Sequence, residues 1–176
     1  MYKEIIPATQ EDTEAICRLF EQAIAFIQHN NYIGWSVYDT TTIRADIENK
    51  QLYKITSGSD LCGIFTLYTA DPLIWRDKEK GDAVYLHRIV LNRAFRGEKL
   101  MQTILDWTKN HADRLHLRYI RMDTWAANEK LISYYKTYGF SFIEHFRSGD
   151  TTELPIQHRN LDLALLELDI SQPAIR

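Results

Sequence analysis

The sequence contains few of the residues that mark specialised protein classes. Its 176 residues include only 2 cysteines, 4 prolines and 7 glycines, which excludes a disulfide scaffold, a collagen-like repeat and a low-complexity chain. Cys17 and Cys62 lie in apolar-patterned segments, so we expect buried, reduced thiols and no metal site. No apolar run is long enough to span a bilayer, and the first residues lack a signal-peptide pattern. We therefore expect a cytoplasmic protein.

Neither sign of charge dominates the chain. Lysine and arginine number 21 against 24 acids, for a net charge of -3 and an isoelectric point near 6.1. This balance gives no electrostatic reason to expect nucleic-acid or anionic-membrane binding. A hydrophobic fraction of 45% is typical of a globular protein. The length suits one domain with a sizeable core, so we predict a single domain over residues 1–176.

Hydrophobic periodicity predicts strands alternating with helices. Strands are predicted at residues 3–7, 52–56, 61–68, 83–91, 118–124, 140–146 and 161–168. Helices are predicted from residue 9, near 43–48, from residue 97 and over 128–138, with loops at 70–82 and 147–160. This order predicts an α/β (α+β) fold, in which a twisted mixed sheet with some parallel pairs is flanked by helices on both faces.

A basic turn joins the strand that starts near Tyr85 to the following helix. The first amides of a helix are unpaired donors with partial positive charge, which suits a pyrophosphate group. Arg93, Arg96 and Lys99 would add ionic contacts. The same pattern is also typical of an ordinary turn, and the turn alone does not decide between the two interpretations.

A second motif lies in residues 128–140. An amphipathic helix opens at Asn128 and ends near Gly139, which is followed by Phe140 and a strand. Near its C-terminal end stands Tyr135, a phenol that packing alone does not require. Taken alone, the tyrosine favours interpretation as a core or surface aromatic residue.

Together, the two motifs make the chain resemble the GNAT N-acetyltransferase superfamily, over roughly residues 2–168 in element order. The family's phosphate turn has Arg or Gln, two residues, Gly, one residue, and then Gly or Ala. Here Arg96 matches the first position and Leu100 the usual aliphatic one, whereas Lys99 and Met101 stand where small residues are expected. The resemblance implies acetyl-CoA as cofactor and direct acetyl transfer to a primary amine in a ternary complex.

The resemblance also implies roles for individual residues. The cofactor contacts it implies are Ile89, Val90, Leu91, Arg96, Gly97, Glu98, Lys99, Leu100, Met101, Asn128 and Tyr135. Tyr135 would protonate the leaving thiolate, since a positioned phenol can act as a general acid. His87 is the titratable group of its strand and could accept the amine's proton. A structural histidine or a chain of water molecules stays an alternative.

The acceptor side is the least specified part of the sequence. Aromatic or cationic residues near the expected acceptor site are Trp35, Trp75, Arg76 and Trp125. They could pack or stack on a small-molecule or peptide amine, or serve in packing only. The strand 161–168 could pair in a homodimer or be buried within the monomer. A non-catalytic acyl-CoA sensor or interaction module of the same fold is the alternative function.

Overall fold

Within the described part of the chain, seven strands and four of five α-helices follow the predicted order, and the fifth, short helix lies in a predicted loop. The structure is a computed structural model that describes residues 3–171. The strands are β1 Glu4–Pro7, β2 Leu52–Ser57, β3 Asp60–Tyr68, β4 Ala83–Leu91, β5 Tyr119–Trp125, β6 Ser141–Arg147 and β7 Asp162–Asp169. The helices are α1 Thr13–His29, α2 Thr40–Glu48, α3 Pro72–Trp75, α4 Leu100–Arg114 and α5 Glu129–Lys136.

The strands form a mixed sheet in the order β1-β2-β3-β4-β5-β7-β6. The pairs β1/β2 and β2/β3 are antiparallel, as the predicted hairpin requires. The pair β4/β5 is parallel, with its register running from Ala83 opposite Tyr119 to Leu86 opposite Met122. Strand β4 continues beyond this register to Leu91. The prediction of a mixed sheet with a parallel pair is confirmed.

The chain forms two compact units. The first comprises residues 1–67, 87–100 and 151–159, and the second comprises residues 68–86, 101–150 and 160–176. The boundary falls inside β4, after Leu86, and again at the start of α4, after Leu100. The expectation of a single domain over residues 1–176 stays a prediction.

The core of the first unit forms beneath α1 and α2. The predicted apolar face of α1 is buried at Ile16, Leu19 and Phe20. Helix α2 begins after Asp39, whose carboxylate accepts a hydrogen bond from the Thr41 amide at 2.9 Å. An acidic N-cap of this kind satisfies a donor that the helix itself leaves unpaired. The buried cluster comprises Ala8, Ile16, Leu19, Phe20, Ile43, Ile47, Leu52, Ile64 and Val90.

The second unit is built around β7, which pairs antiparallel with β5 on one edge and β6 on the other. Strand β7, which was predicted at residues 161–168, is therefore hydrogen-bonded along both edges within the unit. Of the two predicted alternatives, pairing in a homodimer or burial within the monomer, the structure supports burial. Beside β7, Arg121 on β5 is buried and its Nε donates to Glu167 at 2.7 Å. Its guanidinium also donates to the Tyr85 hydroxyl at 3.1 Å.

Two predicted loops contain short helices. Residues 70–82 include α3 and a 3₁₀ turn, Arg76–Lys78. Pro72 starts α3, where its missing N–H costs nothing, and Ile74 and Trp75 are buried. Residues 147–160 include the 3₁₀ turn Ile156–His158.

Further details differ from the sequence predictions. Helix α4 begins at Leu100, since Gly97 (φ 90°) and Lys99 (φ 54°) have left-handed backbones. Cys62 is buried as expected, whereas Cys17 is partly exposed. Across residues 3–171, no helix combines the length and apolarity that crossing a membrane requires.

Candidate active site

The second half of β4 contains a kink at Arg88. This residue has φ 48°, a left-handed conformation that is uncommon for side chains other than glycine. Its guanidinium forms an ion pair with the Asp46 carboxylate of α2, and the two side chains are only 1% and 5% exposed. The residues that follow the kink, Ile89, Val90 and Leu91, are partly or fully buried. The buried pair thus ties α2 to the part of β4 that the sequence analysis assigns to cofactor binding.

The predicted phosphate turn follows β4 directly. Asn92 stabilises the first residues of the turn. Its side-chain nitrogen donates a hydrogen bond to the Leu61 carbonyl at 2.8 Å, and its side-chain oxygen accepts one from the Ala94 amide at 3.0 Å. Arg96, Gly97, Glu98 and Lys99 are all exposed, whereas Leu100 and Met101 are buried. The exposed part of the turn therefore carries two cationic side chains, Arg96 and Lys99, close to the N-terminus of α4.

The backbone of this turn has positive φ angles at Gly97 and Lys99 in spite of the unusual side chains. Lys99 occupies the family's glycine position and adopts the glycine-like φ of 54°. A left-handed residue with a Cβ costs about 1–2 kcal/mol, so the conformation is imposed by its surroundings. Met101 is 2% exposed, and its bulk is thus in the core and not on the exposed turn. Glu98 is engaged with Lys3 at 2.9 Å.

Arg93, the remaining cation of the turn, is held by α1. Its guanidinium lies 3.4 Å from the centre of the Phe26 ring, a cation–π contact.

Tyr135 lies in the second unit, on α5. The helix is capped by Asn128, whose side-chain oxygen accepts from the Leu131 amide at 3.1 Å. Tyr135 is the buried residue of this helix, and its ring packs edge-on against Phe140 at 6.2 Å. Burial raises the pKa of the Tyr135 hydroxyl above its ordinary value, with further contributions from Tyr134 and Asp123. The Tyr135 hydroxyl is therefore neutral throughout the physiological pH range.

His87 lies in the first unit beside a histidine that the sequence analysis did not identify. The rings of His87 and His158 have centroids 5.8 Å apart, and both residues are buried. Burial lowers the pKa of His158 well below its ordinary value, and the charges of His87 and Arg88 lower it further. No local sequence signal joins the two histidines, because their proximity arises only in the folded chain.

The four predicted acceptor residues fall into different environments. Trp35 is partly buried in the first unit, where it contacts Phe20 and His158. Trp75, Arg76 and Trp125 belong to the second unit. Trp75 is fully buried against Tyr85 and Arg121.

Arg76 and Trp125 retain some exposed surface in the second unit. The Arg76 guanidinium forms an ion pair with Glu144 and lies 3.8 Å from the centre of the Phe146 ring. Trp125 forms the end of β5. The roles of all predicted site residues stay predictions.

An open groove of about 700 Å³ lies within the first unit. Its walls come from residues 37–42, which lead into α2, and residues 152–159, which include the 3₁₀ turn. Tyr38 and Ile156 supply apolar surface, and Glu153 and Arg159 supply charge. The groove can hold a small polar molecule with an apolar part.

Comparison with known proteins identifies the family. A family model described as the GNAT acetyltransferase family matches residues 20–140. The chain belongs to the GNAT family. The chain is also similar to the uncharacterized N-acetyltransferase YesJ of Bacillus subtilis (strain 168), which is 26% identical over 151 residues, covering 81% of this chain and 84% of YesJ.

Solved GNAT structures confirm the fold. A GNAT acetyltransferase from Listeria monocytogenes 4b F2365 matches with a TM-score of 0.71 at 24% identity, over 94% of this chain and 95% of that one. The yncA structure from Salmonella typhimurium, a putative acetyltransferase with its cofactor acetyl-CoA, matches with a TM-score of 0.65 at 17% identity, over 100% and 98%. The predicted α/β GNAT-like fold is thus confirmed, and acetyl-CoA is the cofactor of the family to which the chain belongs.

Proposed function

We propose that this GNAT protein is an N-acetyltransferase that moves the acetyl group of acetyl-CoA to a primary amine of a small molecule or peptide, by direct transfer in a ternary complex. The family match is the first support. The observation that carries the proposal is the turn before α4, whose backbone keeps the glycine-like conformation at Lys99 although the glycine itself is replaced. Lys50 and His116, outside this turn, have a similar φ of 56°, so the conformation of Lys99 supports the proposal together with the family match and the position of the turn after β4.

We assign cofactor binding to β4 and to the turn between β4 and α4. The amides at the N-terminus of α4 and the cations of Arg96 and Lys99 would hold the pyrophosphate, as helix N-termini and arginines do in other anion sites. Backbone groups of Ile89, Val90 and Leu91 would pair with the pantetheine arm and polarise the thioester carbonyl. Asn128 would contact the same arm. These roles come from the resemblance of this chain's motifs to those of the family.

The chemistry needs one proton donor and one proton acceptor. The net reaction converts an ammonium and acetyl-CoA into an acetamide, CoA thiol and one free proton. Tyr135 donates a proton to the departing sulfur, which is consistent with its raised pKa and thus its neutral state before transfer. An imidazole accepts the proton that the ammonium must lose before attack, and His87 on β4 is the candidate identified from the sequence. Holding both reactants together supplies much of the acceleration.

The groove of the first unit is the proposed acceptor surface. Its walls combine apolar and charged side chains, which suits an amine on a small organic or peptide scaffold. Trp35, which is partly exposed in the same unit, would contact the acceptor. Trp125 and Arg76 belong to the second unit and stay predicted acceptor residues. Trp75 is enclosed within the second unit, so we assign it no direct contact with the acceptor.

The proposal is tested by titrating the protein with acetyl-CoA and free CoA in a calorimeter, followed by assays of CoA release with a panel of amines. Arg96→Ala should weaken CoA binding by at least about 1 kcal/mol, through loss of a charge-assisted contact. The matched control is Arg114→Ala, which removes an exposed arginine from the opposite end of α4.

The outcomes separate the alternatives. Equal losses in the two variants would contradict the phosphate role of Arg96. Binding without release of CoA for any amine would favour the acyl-CoA sensor.

A further inference from the structure

Arg159 lies in the wall of the groove of the first unit. Its Nε donates to the Leu154 carbonyl at 2.7 Å, and this hydrogen bond orients the guanidinium. Among residues 3–171, no carboxylate forms an ion pair with Arg159. Arg76, by contrast, is paired with Glu144. The two terminal nitrogens of Arg159 are therefore available to a ligand in the groove.

Two acidic residues line the same groove. Both carboxylate oxygens of Asp39 are engaged at the start of α2, where they accept from the Thr41 amide at 2.9 Å and the Thr42 hydroxyl at 2.8 Å. Glu153 is exposed, so water and salt screen its charge. The lining thus carries charges of both signs, with a half-buried arginine as its cation. This arrangement is complementary to a zwitterion.

The groove also has aliphatic surface on both of its walls. Val37 on one wall is 40% exposed, and Ile156 on the other is 55% exposed. Beside Val37, the ring of Tyr38 stacks on Phe20 at 5.4 Å, and its hydroxyl donates to Glu21 at 2.7 Å. An apolar side chain bound between the walls would remove this surface from water, which favours binding.

Both walls of the groove are connected to β4. Helix α2, which continues the first wall, pairs its Asp46 with Arg88. His158 of the second wall lies beside His87, with ring centroids 5.8 Å apart. His87 and Arg88 directly precede residues 89–91, which the proposed function assigns to the pantetheine arm. The groove is therefore anchored next to the cofactor-binding part of the strand.

We propose that Arg159 binds the carboxylate of the acceptor, and that the acceptor is an α-amino acid with an apolar side chain. The inference rests on the proposed acetyltransferase function and specifies its substrate class. A guanidinium offers two parallel N–H donors that match the two oxygens of a carboxylate. An α-amino acid joins a carboxylate, an amine and a side chain at one carbon. Its α-nitrogen gains the acetyl group, and the CoA sulfur leaves as a thiol, as in the proposed reaction.

The first test compares amines that differ only in the carboxylate, namely leucine, methionine and phenylalanine, each against its own amide. In Arg159→Gln, the ratio of kcat/KM for acid over amide should fall about 30-fold, through loss of a charge-assisted hydrogen bond, and mainly through KM for the acid. Comparing this ratio between proteins cancels the different basicity of the two amines. Arg159→Lys keeps the charge without the fork and should show a smaller fall.

The matched control is Arg44→Gln, which removes an exposed arginine of α2 outside the groove and should keep the wild-type ratio. The apolar walls are tested with leucine and glycine. Ile156→Ser should lower kcat/KM for leucine about tenfold relative to glycine, because glycine has no side chain to bury. Leu115→Ser, at an exposed leucine of the second unit, should leave that ratio unchanged.

A second test does not depend on acetyl transfer. Leucine and leucinamide are titrated calorimetrically into the wild type saturated with free CoA, which carries no acetyl group. Leucine should bind more tightly than leucinamide, and Arg159→Gln should weaken leucine binding at least about tenfold. The comparison of the two ligands in the wild type decides the question even if Arg159→Gln does not fold.

The outcomes separate this inference from the proposed function. Equal binding of leucine and leucinamide to the wild type, or an unchanged acid-to-amide ratio in Arg159→Gln, would overturn carboxylate recognition. Acetylation of polyamines but of no amino acid would also overturn it, whereas the acetyltransferase function would stand. Binding of leucine through Arg159 with no acetylation of any amine would overturn the function and the acceptor assignment together, and would leave the groove as a binding site only.

Discussion

Replacing Asp46 with asparagine should destabilise the protein strongly, because it removes the charge that faces Arg88. The two residues are 4% and 3% exposed, so water cannot take the place of the lost carboxylate. Removing one partner of a buried ion pair costs about 3–5 kcal/mol. Asparagine keeps the shape and one oxygen acceptor, so we expect a loss near the lower end, about 3 kcal/mol.

The loss is measurable by thermal and urea unfolding followed by circular dichroism. For a chain of this length, 1 kcal/mol shifts Tm by about 2–4 °C, so Asp46→Asn should lower Tm by about 6–12 °C. With a urea m-value near 2 kcal/mol/M, the midpoint should fall by roughly 1.5 M. The matched control is Asp162→Asn, which breaks the exposed pair between Asp162 and Arg147 and should cost less than about 1 kcal/mol.

A double variant separates the charge from the packing. Asp46→Leu combined with Arg88→Met replaces both ions by apolar groups of similar size, which is often nearly neutral in other proteins. We expect the double variant to recover most of the loss seen in Asp46→Asn. A cost in Asp46→Asn no larger than that in Asp162→Asn would refute the reasoning, since it would mean that the Arg88 charge does not depend on Asp46.

Three further predictions concern the turn, the phenol and pH. Lys99→Gly should raise the unfolding free energy by up to about 1 kcal/mol. Glycine adopts the left-handed backbone without strain, and this gain exceeds the extra entropy of glycine in the unfolded chain. Lys99→Ala, measured by urea unfolding alongside, should give no such gain. Tyr135→Phe should lower kcat about 100-fold with an unchanged Kd for acetyl-CoA, and an unchanged kcat would remove the phenol from the mechanism. Stability should fall as pH drops below about 6.5, because the unfolded chain then binds a proton that folded His158, with its lowered pKa, does not; urea midpoints of His158→Gln should show a weaker fall.

The order of elements was predictable because its signals are local. Alternating and helical periodicity predicted β4 at the residues where the structure has it, 83–91, and the Asn128 cap with Gly139 predicted the helix around Tyr135. Helix α3 was not predicted, because Pro72 is typical both of a turn and of the first residue of a helix. The helix is stabilised by the burial of Trp75, which happens only in the folded chain.

The central features of the site were less predictable, since they depend on tertiary contacts. The left-handed backbone of Arg88 has no sequence signal inside a strand, and its partner Asp46 lies 42 positions away in the chain. The position of His158 beside His87 was not predicted either, because the contact forms only in the folded chain and the segment 147–160 has the sequence pattern of a polar loop. The replacement of glycine by Lys99 was visible in the sequence, yet only the structure shows that the glycine conformation is kept.

The most direct test of the proposed function is the release of CoA thiol from acetyl-CoA by the wild-type protein, with and without each amine of a broad panel, at several pH values from 7 to 10. The account predicts that at least one primary amine stimulates release, with one acetylated amine formed per CoA thiol. Tight binding of acetyl-CoA with no amine-dependent release at any pH would contradict it.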